Sequence, residues 1–382
     1  MDFSNIAYNN RPTRALVNLS HLRNNYEIVS SLVDPDVTIM GVIKANGYGH
    51  GIVEVASALI ESGVTYLGVA YLEEAIYLRK NNITIPILVM GAINTEQIQD
   101  FLQYDIEITT SSIEKSIAIS EAAKAMNKTA QVHIKIDTGM ERIGVHWYNA
   151  EKYIQQTYEL PNVKVKGIFS HLAKAESDEV FTREQLSRFN KIISFLNNNN
   201  MVPPYIHIAN SAGIINYKES HYTMVRPGIM LYGYNPNGYM PEVTFDTRRL
   251  KPVMTLLTKV SYFKVCPSDT GISYNHIYRT TEQTRVVTLP IGYGDGYYRL
   301  LSNKGEVAIR GEKYIISGTI CMDQIMVDIG PKGTAYNGDD VLLFGEFDSM
   351  DISLDSLCDM IGTIPYEFLC NIGSRVPRIY KS

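Results

Sequence analysis

A lysine that follows an apolar strand is the first residue of this sequence that could do chemistry. Residues 37–43 are mostly β-branched and almost continuously hydrophobic, which is typical of a strand buried on both faces, and Lys44 comes next. The segment after it, ANGYGHG, is rich in glycine and polar residues, and helical spacing begins at Ile52. A partly apolar pocket disfavours the ammonium form of a lysine, so Lys44 is a candidate for a Schiff base. A solvated strand end is the alternative interpretation of this residue.

Other basic and polar side chains stand in or at the ends of later apolar runs. They are Lys135 and Arg142, around the segment DTGMERIG, and then His171, Asn210, Ser211 and Arg226. Any one of them could be a solvated or satisfied strand end. Their shared position relative to the apolar runs predicts a common site.

These residues need a frame, and the first two thirds of the chain alternate short apolar strands with amphipathic helical segments. The predicted strands are 38–44, 66–70, 85–90, 106–110, 131–137, 166–171, 205–210 and 224–228. Helical spacing lies between them, as in 72–80, 95–103, 113–126 and 182–197. The repetition predicts the α/β class and a closed (β/α)8 barrel, with an open doubly wound sheet as the alternative.

A (β/α)8 barrel places its active site at the carboxyl ends of the strands, so the polar residues would converge on one mouth. The loops after strands seven and eight commonly bind phosphate, and here they offer the Ser211 hydroxyl and unobstructed backbone N–H groups around Gly228. Tyr48, shortly after Lys44, could bring a phenol to the same phosphate. A lysine, a phosphate site and a basic residue, Arg226, together suggest pyridoxal phosphate (PLP), whose aldehyde needs an amine and whose ring nitrogen needs a partner.

The last third of the chain has a different character. Short strand-like runs cover 253–265, 284–290, 307–310, 313–317, 325–329 and 340–344, and only 352–361 has helical spacing. We therefore predict two domains, a barrel over 1–240 and a mostly β domain over 241–382, with a linker at 235–240. The strand-like segment 14–18 is a candidate to pair with the second domain.

Composition argues against several other classes of protein. A net charge of −5 and a pI near 5.9 give no footprint for nucleic acid or an anionic membrane. The amino-terminal segment MDFSNIAYNNRP has no apolar core of signal-peptide length, and no run of about 18 apolar residues occurs in the sequence. Four scattered cysteines without a C-x-x-C pair favour a reduced, cytoplasmic compartment, and eight histidines without ligand spacing predict no structural metal.

At this point the sequence resembles alanine racemases, which are fold-type III PLP enzymes. The segment VIKANGYGHG is similar to the family's PLP-lysine signature, V-[IV]-K-A-[ND]-[AG]-Y-G-H-G, and other matches follow in the family's order over nearly the whole chain. They are KIDTGMERIG, FSHLAKAES, HIANSAG, VRPGIMLYG, GISYNHIY, IGYGDGY, GTICMDQIMVDIG and TIPYEFLCNIGSRVPRIY. The resemblance implies a homodimer that interconverts L- and D-alanine in a bacterial cytoplasm and supplies D-alanine for peptidoglycan.

The resemblance also implies two catalytic bases. Lys44 would hold PLP and act on the D side of the substrate, and Tyr274 of the partner subunit would act on the L side. His171 and Arg226 would tune the tyrosine. Arg226 would also face the pyridine nitrogen as a donor that cannot give up its proton. His207 would hold Arg226 in place, with a core histidine as the alternative.

The remaining implied roles are contacts to phosphate and substrate. The phosphate contacts are Tyr48, Asn210, Ser211, Gly228, Ile229 and Tyr366. The substrate contacts and their neighbours are Arg142, Met322 of the other subunit, Cys321 and Asp323 beside it, and Tyr293 at the entrance.

One matching position and one departure concern Arg142. Lys135 occupies the position that often carries an N-carboxylated lysine in the family, a carbamate that would fix Arg142. Glu141 stands where the family usually has glycine, and its carboxylate would offer Arg142 another partner.

Three other functions compete with this reading. A serine or broad-specificity racemase is the nearest, and the bulky Tyr366 in TIPYE argues for alanine. Decarboxylases with a barrel and a β domain carry a glycine-rich phosphate loop and a paired cysteine that are not found here. A PLP carrier protein would need neither the second domain nor a second base.

Overall fold

The structure is a computed structural model that describes residues 10–236, 246 and 249–382. The chain forms two compact units. The barrel unit contains His21–Gly47 and the described part of Ile52–Lys251, and the β unit contains the described residues up to Ser20, Tyr48–Gly51 and Pro252–Ser382. The predicted domain boundary at 240/241 and most of the predicted linker lie outside the described residues.

The described residues contain the following elements. The strands are β1 Arg14–Asn18, β2 Thr38–Val42, β3 Tyr66–Val69, β4 Ile87–Val89, β5 Glu107–Thr110, β6 Ala130–Asp137, β7 Val145–His146, β8 Val163–Phe169, β9 Tyr205–His207, β10 Met224–Val225, β11 Met254–Lys259, β12 Tyr262–Cys266, β13 Gly271–Ile272, β14 Tyr278–Arg279, β15 Thr284–Leu289, β16 Glu306–Ile309, β17 Glu312–Ile315, β18 Ile325–Asp328, β19 Asp340–Phe347, β20 Met350–Ile352 and β21 Arg378–Lys381. The helices are α1 Leu19–Leu32, α2 Lys44–Tyr48, α3 Ile52–Glu61, α4 Leu72–Lys80, α5 Ile98–Gln103, α6 Ile113–Ala125, α7 Ala150–Glu159, α8 Glu179–Asn198, α9 Ser211–Asn216, α10 Leu354–Ile361 and α11 Pro365–Asn371.

Eight parallel strands close into a barrel in the order β2, β3, β4, β5, β6, β8, β9 and β10. The pairing of β5 with β6 and of β10 with β2 completes the ring. The predicted barrel is therefore confirmed, and the doubly wound alternative is wrong. Large side chains from four strands, Met40, Tyr66, Leu88 and Met224, pack against one another inside it.

Six of the eight barrel strands are shorter than the runs that predict them, while β6 and β8 are each one residue longer. β9, for example, ends at His207 rather than at residue 210, because Asn210 already caps α9 by accepting a hydrogen bond from the Gly213 N–H at 2.9 Å. Likewise β10 ends at Val225, one residue before Arg226. The chemistry-bearing residues therefore stand on the turns that leave the strands as well as on the strands themselves.

The β unit contains a sheet in the order β17, β16, β19, β11, β1 and β21, in which β20 also pairs with β19. β1 runs antiparallel to β11 and parallel to β21. The predicted strand 253–265 is two strands in different sheets, and α11 is a helix that the sequence analysis did not predict. Among the described residues, no helix has the length and apolar character needed to cross a membrane.

Candidate active site

Lys44 stands at a reversal of backbone handedness. Strand β2 ends at Val42, and the Ile43 N–H donates to the Gly68 carbonyl oxygen at 2.9 Å. The inner residues of α2 are left-handed, with φ of 53° at Ala45 and 55° at Asn46. Each such non-glycine residue costs about 1–2 kcal/mol, and backbone strain of this kind concentrates at functional sites. Lys44 therefore lies between the end of β2 and a left-handed turn, at the mouth of the barrel.

A cavity of about 400 Å³ opens at this mouth. Five of the predicted site residues line it, and they come from the ends of four strands and one loop. They are Lys44, Lys135, Arg142, His171 and Arg226. Apolar side chains complete the wall, among them Met90, Ile143 and Phe169. The cavity therefore combines a lysine amine with several cationic groups in a partly apolar setting.

Arg226 is held in the barrel by several hydrogen bonds. Its Nη2 donates to the carbonyl oxygens of Ser170 at 2.9 Å and Ile208 at 3.2 Å, and lies 3.2 Å from His171 Nδ1. Its Nη1 donates to His207 Nδ1 at 2.9 Å. Among the described residues, neither its Nε–H nor the second N–H of Nη1 has an acceptor, so the guanidinium keeps two donors for a ligand. His207 is thus both a buried core histidine and the residue that holds Arg226.

The charges around Arg226 are set by burial. Burial, followed by the charge of Arg226, lowers the pKa of His171 and of His207 well below the usual range, so both rings are neutral at pH 7. Burial and the neighbouring Arg142 lower the pKa of Arg226 to about 9, which still leaves it charged at pH 7. A cation therefore stands between two neutral imidazoles.

We expect the protein to lose stability as the pH falls below about 6.5. Burial lowers the pKa of His133, and lowers the pKa of His171 and His207 well below the usual range, whereas each histidine binds a proton near pH 6.5 when unfolded. The unfolded state then binds more protons, so the free energy of unfolding falls by up to about 1.4 kcal/mol per pH unit for each histidine. Denaturant unfolding at about pH 8 and about pH 5.5 measures this. A His133→Asn variant should show a shallower pH dependence, and an unchanged slope would contradict the assignment.

Lys135 is a buried lysine on β6. Its Nζ lies 4.4 Å from the centre of the Phe169 ring. Burial, and after it the charge of Arg226, lowers the pKa of Lys135 well below that of an exposed lysine, while Asp137 opposes the shift. The amine is therefore more available in its neutral form than that of a surface lysine.

Arg142 lies on a loop that one carboxylate organises. Asp137, buried at the end of β6, accepts hydrogen bonds from the N–H groups of Gly139 at 2.8 Å, Met140 at 3.0 Å and Arg142 at 3.3 Å. These bonds fix the backbone that carries the Arg142 side chain to the cavity.

Glu141 does not interact with Arg142 in the described structure. Its carboxylate pairs with His146 at 2.9 Å, and both side chains are exposed. The expectation that Glu141 competes for Arg142 is therefore wrong. Glu141 has φ of 54°, a left-handed conformation that glycine adopts most easily, which gives a physical reason for glycine at this position.

The predicted phosphate region joins the ends of β9 and β10. Ser211 begins α9 directly after its cap, Asn210. The Gly228 N–H donates to Ser211 Oγ at 2.9 Å, so this N–H is already engaged, unlike the unobstructed donor expected from the sequence. Ile229 begins a 3₁₀ turn, and the first N–H of such a turn has no partner within it. Asn210 and Ser211 thus contribute an amide and a hydroxyl to this region, and Gly228 and Ile229 contribute backbone N–H groups.

The β unit brings the other predicted catalytic residue to its surface. Tyr274 is 68% exposed and follows Ser273, whose φ is 63°, and precedes Asn275, whose φ is 62°. The Tyr274 carbonyl oxygen accepts a hydrogen bond from Thr319 Oγ1 at 2.9 Å. A strained and anchored backbone thus presents an exposed phenol.

Tyr274 shares a second cavity, of about 710 Å³, with the predicted substrate-contact segment. Met322 is 53% exposed there, and Cys321 and Asp323 line the same cavity. The backbone of the IGYGDGY segment fixes this stretch, because the Tyr293 N–H donates to the Cys321 carbonyl oxygen at 3.1 Å. The β unit therefore groups its predicted site residues by itself.

Arg375 is an additional anchor of this segment that the sequence analysis missed. It pairs with Asp323 at 2.7 Å and with the fully buried Asp295 at 3.3 Å. Asp295 also accepts a hydrogen bond from the Gly292 N–H at 3.1 Å. The ion pairs hold Asp323 to the glycine-rich segment.

Tyr48 and Tyr366, two predicted phosphate contacts, are neighbours in the β unit. Their ring centres lie 6.1 Å apart. Tyr48 is buried, and burial followed by the influence of Tyr366 and Cys370 raises its pKa, so it is a neutral phenol. Gly49 packs so closely that a Cβ there would lie 2.2 Å from the Leu369 carbonyl oxygen, which requires glycine at this point.

The structure also reveals buried partners that the sequence analysis did not single out. Glu107, His133 and Tyr66 lie inside the barrel and are hydrogen-bonded to one another. The available signal was a glutamate in the predicted strand 106–110 and a histidine in the predicted strand 131–137.

Comparisons with known proteins agree with this architecture. Residues 17–236 match the alanine racemase N-terminal domain, and residues 253–380 match the alanine racemase C-terminal domain. Alanine racemases of Halothermothrix orenii and Carboxydothermus hydrogenoformans are 40% and 42% identical to this chain. The alignments cover 97% of this chain in both cases, and 97% and 100% of the two relatives, respectively.

Solved structures give the same result. An alanine racemase from Clostridium difficile 630 superimposes with a TM-score of 0.92 at 38% identity, over 97% of this chain and 96% of that one. The alanine racemase of Bartonella henselae, solved with covalently bound pyridoxal phosphate, gives a TM-score of 0.85 at 29% identity, over 97% and 99% of the two chains. The resemblance noted from the sequence is thus confirmed, and the chain belongs to the alanine racemase family of isomerases.

Proposed function

We propose that this protein interconverts L- and D-alanine with pyridoxal phosphate and two bases, Lys44 and the partner subunit's Tyr274. The observation that supports this most is the cavity at the barrel mouth. Lys44 and Arg226 line this cavity together with three further basic residues, Lys135, Arg142 and His171. The residues present fit the cofactor, since they include an amine, a fixed cation with two donors to spare, and the polar groups around Ser211.

Bound there, pyridoxal phosphate would supply an aldehyde for amines and a ring that withdraws electrons from the substrate Cα. Lys44 would hold it. Asn210, Ser211, Ile229, Tyr48 and Tyr366 would hold its phosphate. Gly228 would join them once its N–H exchanges the Ser211 Oγ acceptor for a phosphate oxygen. Arg226 would donate a hydrogen bond to the ring nitrogen and keep its own proton, because a guanidinium at pH 7 gives none up. The weaker electron withdrawal that results favours return of the proton to Cα over transamination.

The two bases would work on opposite faces of the substrate. Lys44 Nζ would take the Cα proton of D-alanine while Tyr274 Oη of the partner subunit returns one to the other face, and the reverse direction would exchange these roles. Exchange of protons with each other or with solvent would then reset both groups. The exposure of Tyr274 on its own unit, 68%, suits a residue that completes a site on a partner subunit.

Arg142 would bind the substrate carboxylate, with Met322 of the other subunit beside it and Tyr293 narrowing the entrance. A carbamate on Lys135 would turn the repulsion between two cationic side chains into attraction and so orient Arg142. The lowered pKa of Lys135 supports this, because carbamate formation needs the free amine.

Labelled bicarbonate should therefore give a carbamate carbon signal in NMR that is absent from a Lys135→Arg variant.

An Asp137→Asn variant should raise the KM for alanine by about tenfold with a smaller effect on kcat. The amide would lose the charge and one acceptor for the three backbone N–H groups, so the loop that carries Arg142 would be looser. Steady-state kinetics in both directions measure this. Glu141→Gln is the matched control, since it removes an exposed charge from the same loop and should leave KM unchanged. Equal KM values for the two variants would contradict the role of Asp137.

The chemistry defines a biological setting. D-alanine is a component of peptidoglycan, and we propose that the protein supplies it in a bacterial cytoplasm as a homodimer with shared sites. A serine or broad-specificity racemase is the alternative, which the bulky Tyr366 disfavours.

Chiral chromatography of separate incubations with L-alanine, D-alanine, L-serine and L-lysine tests the proposal. We expect both alanine enantiomers to reach the same equal mixture and lysine to remain unchanged. Interconversion of serine but not of alanine would contradict alanine as the substrate. Absence of any interconversion in PLP-loaded protein would contradict the proposed racemase activity.

A further inference from the structure

A continuous chain of buried hydrogen bonds runs from Arg226 through the inside of the barrel. His207 Nδ1 lies 2.9 Å from Arg226 Nη1, and His207 Nε2 lies 2.9 Å from His133 Nδ1. His133 Nε2 lies 2.9 Å from Glu107 Oε2. The four side chains come from β5, β6, β9 and the residue after β10, and none is more than 4% exposed.

The chemistry of the end groups fixes the direction of every bond in the chain. Arginine has only donors, so His207 must accept at Nδ1 and carry its proton on Nε2. His207 then donates to His133 Nδ1, and His133 carries its proton on Nε2. That proton is donated to Glu107, whose carboxylate only accepts. Both histidines are neutral in this arrangement, as expected from the lowering of their pKa by burial.

We propose that Glu107, acting through His133 and His207, is a positioning residue for Arg226. The carboxylate fixes both imidazole tautomers and so keeps a lone pair, rather than an N–H, directed at the guanidinium. It also places a buried anion in hydrogen-bonded connection with a buried cation, which offsets part of the desolvation of both. The inference deepens the proposed function and rests on it for the catalytic consequence alone.

The barrel interior is built to hold the two rings in these orientations. The Phe169 ring stacks on His207 with centres 4.8 Å apart and planes within 1°, and Tyr205 stacks on His133 at 6.2 Å and 9°. Gly167 leaves the space for His133, since a Cβ there would lie 2.3 Å from its Nδ1. Packing against neighbouring residues therefore restricts the orientation of both imidazole rings in the hydrogen-bonded chain.

The environment of Glu107 favours its charged form. Burial alone would raise its pKa, but the interaction with His133, the hydrogen bond from the Tyr66 hydroxyl and the charge of Lys166 together outweigh burial and lower the pKa. Tyr66 donates to the same carboxylate oxygen that His133 contacts. The far end of the chain is thus an anion with two donors.

The tautomers can be measured directly by ¹⁵N NMR of histidine side chains in the whole protein, with and without pyridoxal phosphate. His207 and His133 should both be neutral, with protons on Nε2, at pH 7. A charged His207, or a proton on its Nδ1, would overturn the proposal. This measurement needs neither substrate nor any variant that has to fold.

A Glu107→Gln variant tests the consequence for Arg226. We expect its affinity for pyridoxal phosphate and its kcat to fall by about tenfold each, with little change in KM for alanine. In an Arg226→Lys background the same substitution should have almost no further effect, since the residue it positions is gone. Thr109→Val is the matched control, because it removes a buried hydrogen bond to the Val89 carbonyl oxygen from the same strand and should leave both quantities unchanged.

The outcomes separate this inference from the proposed function. If Glu107→Gln is folded but binds pyridoxal phosphate as tightly as the native protein, the chain only satisfies buried polar groups and the inference fails. If the tautomers and the cofactor affinity behave as expected but alanine is not racemised, the proposed function fails and the positioning role stands.

Discussion

The Lys44→Ala variant is expected to lose the visible absorbance of bound cofactor together with at least about four orders of magnitude of racemase activity. The substitution removes two functions at once, because Lys44 is proposed both to hold pyridoxal phosphate and to move the proton on the D side of the substrate. No other lysine can replace it at the end of β2. Lys135, the other lysine in the cavity wall, is held within β6 over the Phe169 ring. Absorbance spectra and steady-state rates of the purified variant measure both losses.

Lys174→Ala is the control for this experiment. Lys174 is an exposed lysine that pairs with Asp178 at 3.2 Å, and exposed pairs contribute less than about 1 kcal/mol. The control should keep both the absorbance and the rate. Retention of either property by Lys44→Ala would contradict the role of Lys44.

The Tyr274→Phe variant should lose the two directions of exchange unequally. The substitution removes only the hydroxyl, so Lys44 and the cofactor site remain intact and absorbance should be unchanged. In deuterated water, we expect exchange of the Cα hydrogen of L-alanine to fall by about a thousandfold and that of D-alanine by less than about tenfold. The difference follows because each enantiomer presents its hydrogen to one base only.

Proton NMR of the two alanine enantiomers over time measures the exchange rates. Tyr336→Phe is the matched control, since Tyr336 is an exposed tyrosine of the same unit, and it should leave both rates unchanged. Equal loss from L- and D-alanine in Tyr274→Phe would contradict the two-base assignment.

The barrel is predictable because its signal is local and repeated. Each of the eight apolar runs has the length and the β-branched character of a buried parallel strand, and closure through β5 and β6 follows from their number. The ends of the strands are less predictable. Apolar residues such as Ile208 continue beyond the last strand pair, and a cap such as Asn210 ends the strand only once α9 has formed.

The residues at the mouth are predictable for the same reason, since position after a strand decides where Lys44, His171 and Arg226 go. Their partners are not. Glu107 and His133 contact the site through side chains that cross the barrel interior, and no spacing in the sequence encodes such contacts. The error over Glu141 is of this kind as well, because its carboxylate pairs with the His146 side chain instead of with Arg142.

The central claim is that each active site takes Lys44 from one subunit and Tyr274 from the other. Subunit complementation tests it most directly. Lys44→Ala and Tyr274→Phe proteins, each nearly inactive as a racemase, are mixed, dissociated and reassociated, and the rate of racemisation from L-alanine is compared with that of the native protein treated in the same way.

In a hybrid dimer, one of the two sites contains the unchanged Lys44 of one subunit and the unchanged residue Tyr274 of the partner subunit. Random reassociation makes about half of the dimers hybrid, so about one quarter of the native activity should return. A mixture that stays as inactive as its two components would contradict the shared site, because every site built within a single subunit would still lack one base.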